Sequence, residues 1–278
     1  TKKVSIENVV FSFHEVKKPS APSQEAGISF DVIGDIAIIE KPREKRMPVS
    51  RIAKSILNLH KNVKTVALKE GALAGPFRLR KLKIITGEKK TETIHRENGC
   101  SFKVDVTKAY FSPRLSHERK RIASLVKPGE TVFVPFAGVG PFAVVIAKQH
   151  PDVQIFANEL NPEAVKFLND NIRLNKVHNI KVIPGDARDL LTKYKETADR
   201  VVVPLPMMSG QFLDVAFGLA KNGGIVHFYH FTESFEKTMS LIEDYAKEKK
   251  KKIRLVGSRI VRAYAPGIIE VVIDFQLL

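Results

Sequence analysis

Residues Ile253–Leu278 read IRLVGSRIVRAYAPGIIEVVIDFQLL. Two long runs, IRLVGSRIVRAYA and GIIEVVIDFQLL, have strand-like composition and meet at Pro266-Gly267, a pair that marks a turn. Parallel strands need a crossover of roughly a dozen residues or more, and no room for one exists here. The two runs must pair antiparallel.

The text before them keeps a different rhythm. TVFVPFAG from Thr131, VQIFANE from Val153, IKVIPGDA from Ile180, RVVVPLP from Arg200 and GGIVHFYH from Gly223 read as strands. The intervening PFAVVIAKQH, PEAVKFLNDNIRLN, QFLDVAFGLAK and SFEKTMSLIEDYAKEK carry apolar residues at helical spacing. Strand and helix alternating in this way predict parallel crossovers in a doubly wound α/β sheet. Closed by an antiparallel hairpin, such a Rossmann-like sheet has the layout of class I methyltransferases rather than dehydrogenases, and residues 112–278 are expected to form it. Upstream, ISFDVIGDIAIIE (with Gly34-Asp35 as a hairpin turn), the amphipathic PVSRIAKSILNLH, VKTVALKE, LKIITG, TETIHRENG and SFKVDVTKAYF predict a small α/β domain over 28–111. Residues 1–27, with KKPSAPSQEAG, read as a linker or tail.

Composition narrows the partners. Among 278 residues, 46 Lys+Arg against 30 Asp+Glu leave a net charge of +16. That surplus favours a polyanion, nucleic acid before an acidic membrane surface, over a charge-rich thermophile-like surface in which the signs balance. Cys100 is the single cysteine, which excludes an internal disulfide and a thiolate metal cluster and suits a reducing cytoplasm. No apolar run approaches the ~20 residues that span a bilayer, and TKKVSIENVV lacks the apolar core of a signal peptide. The lysine-rich KEKKKK around Lys247–Lys252 reads as a solvated helix end.

The glycines of Phe136–Phe142, FAGVGPF, follow the first strand of the alternating region and let the backbone turn close to a ligand. Taken singly they are a plain turn, Glu159 is a capping residue before Asn161-Pro162, and Asp186 is a turn aspartate. Together they fall at three successive strand ends. There Glu159 can accept both ribose hydroxyls and Asp186 an adenine amino group, so a nucleoside cofactor is expected. S-adenosylmethionine fits better than NAD, because the third glycine of a pyrophosphate site is missing and the final hairpin is present. Phe136, Gly138, Gly140, Leu160, Ala187 and Pro204 are also expected in the cofactor site, and Pro206 on its substrate side.

Four stretches carry a specific resemblance: GALAGPFR (71–78), TETIHRENGCSFKVDVTKAYFSPRLSHER (91–119), FAGVGPF, and RIVRAYAPGIIEVVIDF near the end. Over about residues 28–278 the chain resembles the archaeal and eukaryotic tRNA (guanine-37-N1)-methyltransferases and their wybutosine-pathway relatives. The resemblance implies S-adenosylmethionine as cofactor and tRNA as partner, with the basic first domain clamping the anticodon arm. No metal, membrane or obligatory protein partner is implied. Glu118 is implied as the base that removes the guanine N1 proton and Arg78 as the stabiliser of charge on O6, with Arg80 its substitute. Tyr110 and Arg119 are implied to hold the methionine end of the cofactor, and Arg114 to face the substrate. Without the resemblance, Arg114 and Glu118 make an ordinary i,i+4 ion pair on a solvated helix. Family members carry a further small N-terminal domain, which this chain is expected to lack.

One departure stands out. The strict N1-methyltransferases have Asn-Leu-Pro after the fourth strand, where this chain has Pro204-Leu205-Pro206. Proline offers only a carbonyl, so one orienting hydrogen bond to the guanine edge is missing and the pocket grows more apolar. This pattern resembles the bifunctional archaeal branch, which also methylates C7 of 4-demethylwyosine at position 37. Aminocarboxypropyl transfer from the same cofactor, monofunctional guanine methylation and a non-enzymatic RNA-binding module are the competing readings.

Overall fold

Strand Lys3–Ile6 (β1) pairs antiparallel with Val9–Ser12 (β2). The computed structural model describes residues 3–6, 9–12, 30–41, 47–75, 77 and 79–278, with backbone alone at 3–6, 9–12, 72–74 and 80. Phe30–Ile33 (β3) turns tightly into Ile36–Ile39 (β4) because Gly34 takes a left-handed conformation, φ 57°. Helix Val49–Leu59 (α1) buries Ile52, Ala53 and Ile56 on the sheet. It returns the chain to Thr65–Ala74 (β5), parallel to β4, and Leu79–Gly87 (β6) completes a four-stranded sheet in the order β3-β4-β5-β6.

Glu92–Glu97 (β7) and Cys100–Asp105 (β8) form a separate hairpin on Asn98-Gly99. A 3₁₀ turn at Pro113–Leu115 leads into Ser116–Leu125 (α2). The alternating region follows as Thr131–Val134 (β9), Pro141–Gln149 (α3), Gln154–Glu159 (β10), Pro162–Asn175 (α4), Ile180–Pro184 (β11), Leu190–Tyr194 (α5), Ala198–Val203 (β12), Leu213–Leu219 (α6), Ala220–Thr232 (β13) and Phe235–Glu248 (α7). Ile253–Ala265 (β14) and Ile268–Leu277 (β15) end the chain. The seven strands run in the order β11-β10-β9-β12-β13-β15-β14, parallel through β13 and antiparallel at β15 and β14. This is the class I methyltransferase sheet with its closing hairpin. Val132, Phe133, Val134 and Val201–Val203 are completely buried, as strands covered by helices on both faces require.

The β7–β8 hairpin, grouped by its sequence with the small domain, makes no strand pairing with either larger sheet among the described residues. Helix α4 holds it instead. Asn171 and Asn175, one turn apart, take the β8 backbone at Lys103 and Ser101 with both ends of their amides. Phe102 and Val104 then share one core with α3, α4 and the small sheet's Ile33, Ile36 and Ile38. Thr93 and His95 receive the backbone N–H groups of Asp35 and Gly34. The hairpin therefore bridges the two sheets.

Candidate active site

The carboxyl ends of β9 to β12 open on a cleft of about 520 Å³, whose opposite wall is the small sheet with Asp31, Ile38, Lys69, Phe77 and Leu82. Strand order reverses at β9, between β10 and β12, which is where open α/β sheets bind ligands. The volume suits a nucleoside-sized molecule with room beside it.

Glu159, at the end of β10, accepts hydrogen bonds from the Gly138 N–H at 2.7 Å and the Asn161 N–H at 2.8 Å. Burial pushes its carboxyl up, and those backbone donors pull against the rise. Each oxygen keeps a lone pair for a hydroxyl donor. The loop before it is tightly turned: Phe136 has φ 61° and Gly138 φ 59°. A non-glycine residue in that region stores strain, and such positions gather at functional sites. Phe136 is locked edge-on against Phe212, centroids 4.6 Å apart. Asn158 donates to the carbonyls of Ile183 and Gly185, fastening the loop that carries Asp186 and Ala187. Leu160 and Ala187 supply apolar walls between the two acids.

Beyond β12 the wall is Pro204, Leu205, Pro206 and Met208. The Pro206 carbonyl, the only backbone polar group that residue has, accepts from the Phe231 N–H at 3.0 Å. The proline pair thus ends β12 and splices the wall onto β13. At the far end, Phe231 stacks on Tyr264 with centroids 3.9 Å apart. Arg262 and Glu270 pair beside them, Nε to Oε2, at 2.5 Å. Burial opposes the Arg262 charge, and Glu270 and Tyr110 more than restore it.

Tyr110, Arg114, Phe136, Gly138, Glu159, Leu160, Asp186, Ala187, Pro204 and Pro206 all line this cleft. Arg78 lies outside the described residues, and Arg80 is described only as backbone of β6. Three residues expected here sit beneath the wall. A Cβ on Gly140, φ 88°, would collide with Leu168, so this glycine serves helix packing rather than a ligand. Arg119, 2% exposed, pairs with Glu97 at 2.6 Å and donates to the Ser112 carbonyl. Glu118, also 2% exposed, accepts from Arg121 Nε at 2.9 Å and the Tyr229 hydroxyl at 3.0 Å, with Arg259 Nε 3.3 Å away. The Arg114–Glu118 pair does not form: the 3₁₀ turn rotates Arg114 onto Asp31, at 2.6 Å.

Glu118 ends a buried chain of charges. Arg121 also bonds Asp274 at 2.6 Å, Asp274 bonds His227 Nδ1 at 2.6 Å, and His227 Nε2 meets Arg200 at 2.7 Å. Arg200 donates to both oxygens of Glu130. Arginine can only donate, so Nε2 accepts and Nδ1 carries the proton toward Asp274; His227 is neutral. Burial holds its pKa below the ordinary value. Burial alone would raise the Asp274 carboxyl, but His227 and Arg121 hold it down at about 2. Arg262, Glu270, Tyr264 and this chain were not singled out in the sequence. The available signal was a charge inside an apolar strand, as Glu270 and Asp274 are in IIEVVIDF.

Seven strands in this order, with acids at the ends of β10 and β11 beside a proline-walled pocket, define a class I methyltransferase with a nucleoside-cofactor cleft. Residues 93–255 match the family model described as the TRM5/TYW2 methyltransferase domain, and residues 16–91 the TYW2 N-terminal domain. The chain belongs to the TRM5/TYW2 methyltransferase family. The second match corrects the expectation that the family's N-terminal domain is missing. The tRNA (guanine(37)-N(1))-methyltransferase Trm5b of Pyrococcus abyssi is 42% identical over 90% of this chain and 74% of its own length. The tRNA (guanine(37)-N(1))/4-demethylwyosine(37)-methyltransferase Taw22 of Nanoarchaeum equitans is 36% identical over 85% and 97%. A tRNA(Phe) (4-demethylwyosine(37)-C(7)) aminocarboxypropyltransferase of Methanocaldococcus jannaschii is 35% identical over 89% and 97%. Among solved structures, P. abyssi Trm5b aligns with TM-score 0.81 and 39% identity over 99% of this chain and 84% of that one. M. jannaschii TYW2 in complex with AdoMet aligns at 0.68 and 30% over 90% and 99%.

Proposed function

We propose that this chain transfers a methyl group from S-adenosylmethionine to N1 of guanine 37 in tRNA, and also methylates 4-demethylwyosine at C7 in the same position. The observation that carries the reading is the continuity of one cleft. It runs from two nucleoside-facing acids, past Pro204 and Pro206, to an aromatic and arginine-lined acceptor end. Bound there, S-adenosylmethionine supplies a methyl group activated by its sulfonium. Glu159 fits its ribose, because a buried carboxylate held by two N–H groups still has acceptor capacity for two hydroxyls. Asp186 takes the adenine amino group, Phe136, Leu160 and Ala187 enclose the ring, and Gly138 and Tyr110 face the methionine arm. Holding the acceptor atom against the methyl carbon is the main source of rate in such a displacement.

Guanine N1 must lose its proton, and Glu118 is our assignment for the base. Its carboxylate lies three residues beyond Leu115 of the cleft wall and is engaged by Tyr229 and Arg121. Reaching the base therefore requires it to exchange the Tyr229 hydroxyl for the acceptor. Arg78 is assigned to O6 by the resemblance, Arg80 remains its substitute, and Arg114 faces the tRNA. The small sheet holds the anticodon arm over the cleft. The apolar Pro204 edge suits a tricyclic acceptor as well as guanine, which favours two substrates over one. The aminocarboxypropyl relative keeps the alternative transfer in view. Nucleoside mass spectrometry decides, with unmodified tRNA and with tRNA containing 4-demethylwyosine. A gain of one methyl on each acceptor is expected, whereas a gain of an aminocarboxypropyl group overturns the assignment.

A further inference from the structure

The acceptor end of the cleft contains a built arginine. The Arg262 side chain is 19% exposed, Nε is spent on Glu270, and Glu270 itself is 1% exposed. A buried carboxylate is costly unless it is paired, and here it takes Nε of the guanidinium. The Tyr110 hydroxyl is the other side-chain group hydrogen-bonded to Arg262, so a base that takes both terminal nitrogens displaces that hydroxyl. Both residues line the cleft with Tyr264 and Phe231, whose stacked rings offer a platform for a base. Sheet order sets the polarity of the site. The nucleoside acids are on β10 and β11, the proline wall follows β12, and this group lies on β13, β14 and β15, on the side remote from the acids.

We infer that Arg262, oriented by Glu270, reads N7 and one lone pair of O6 on the acceptor purine, leaving the second O6 lone pair to Arg78, while the base stacks at Tyr264. This rests on the reading of the cleft as a guanine-37 methylation site. A fork of two N–H donors on O6 and N7 is the commonest specific contact of arginine with guanine. The inference also explains how one pocket serves two acceptors. The third ring of 4-demethylwyosine is built across N1 and N2, which leaves the O6/N7 edge intact. A reader on that edge is indifferent to the change, while the apolar Pro204 side meets the altered one.

The test pairs an atom in the RNA with an atom in the protein. Single-turnover rates at saturating tRNA and cofactor are measured for guanine and for 7-deazaguanine at position 37, with wild type and Arg262→Lys. Lysine keeps the charge and loses the fork. Calorimetric binding of S-adenosylmethionine controls for folding and for a cofactor contact. The wild type should slow about 10-fold or more on removal of N7, in the range for breaking a bidentate pair with a base. Arg262→Lys should be slow on guanine and change less than about twofold further on 7-deazaguanine. Glu270→Gln should show an intermediate coupling with cofactor affinity retained. Equal losses in wild type and variant overturn the inference. So does weakened cofactor binding, or a variant whose only defect is lower tRNA affinity with a shallower salt dependence, the signature of a phosphate contact. A wild type with no guanine-37 methylation removes the functional reading and this inference together, and is told apart by that first measurement.

Discussion

Glu159 shows how a single carboxylate sets a pH dependence. Burial raises its pKa, so its folded-state charge is lost at a higher pH than that of a free glutamate. Ribose hydroxyls donate to the ionised form, and cofactor affinity should therefore be full above the raised pKa and decline as pH falls through it. Glu159→Gln should weaken calorimetric binding by roughly 10–100-fold, the worth of charged hydrogen bonds, and flatten that dependence. Affinity that stays steep in pH in the variant would place the titrating group elsewhere. At Pro204 the expectation concerns choice rather than strength. Pro204→Asn should raise the rate on guanine relative to 4-demethylwyosine, by restoring an amide to the base edge. An unchanged ratio of the two rates removes Pro204 as a determinant. Both residues could be read from sequence because each stands at a strand end, where the pattern of apolar runs fixes position to within a residue or two. Glu118 and Arg119 were harder. Their burial depends on β13, β15 and β7, elements far away in the chain.

At the scale of elements, α2 is bolted to β13 and β15 by the chain Glu118–Arg121–Asp274–His227–Arg200. Removing Arg121 takes a cation from two buried carboxylates at once, leaving Glu118 with Tyr229 and Arg259 and Asp274 with His227. Arg121→Met should cost about 3–5 kcal/mol in a urea melt, the range for removing one partner of a buried ion pair. Tyr229→Phe removes one donor to Glu118 and should cost less, about 1.5–3 kcal/mol. A cost below about 1 kcal/mol for Arg121→Met would mean that water already screens the pair. The same chain sets the acid limit. The folded pKa values of His227 and Asp274 are both depressed, so the unfolded state binds their protons more readily. Stability is complete above the ordinary histidine value of 6.5. It falls as pH drops below that value, and falls again between 3.8 and about 2 as Asp274 titrates. The strands and helices of this region were legible because buried parallel strands are continuous apolar runs and their crossovers have helical period. The entry to α2 was not. Ser112 makes no side-chain cap, and the 3₁₀ turn shifts the register of Arg114 away from Glu118, so the i,i+4 spacing read from the sequence does not become a pair.

Across the whole molecule, charge and cleft belong to one design. Asp31 on β3 receives both Arg114 and Lys69, tying the small sheet to the cleft edge. Helix α1, on that sheet, carries exposed Arg51 and Lys54 and no acidic residue. The lysine run at 247–252 is different. It lies at and beyond the end of α7, and Lys249 and Lys251 are already paired with Glu248 and Glu196. If the small sheet grips the anticodon arm, tRNA affinity should fall by about 10³–10⁵ between about 50 and 200 mM salt, the response of a protein touching roughly 6–10 phosphates. Replacing Arg51 and Lys54 by glutamine should then lower the salt slope by about one unit for each phosphate that is no longer neutralised. The same replacement at Lys250 and Lys252 should leave the slope unchanged, because a solvated helix end releases no counterions from the RNA. Filter binding of tRNA across a salt series reads both variants against the wild type, with cofactor affinity as the check on folding. A slope that moves with the lysine run and not with α1 would place the RNA across the back of the large sheet. The cleft would then have to be reached by a route that the small sheet does not guide.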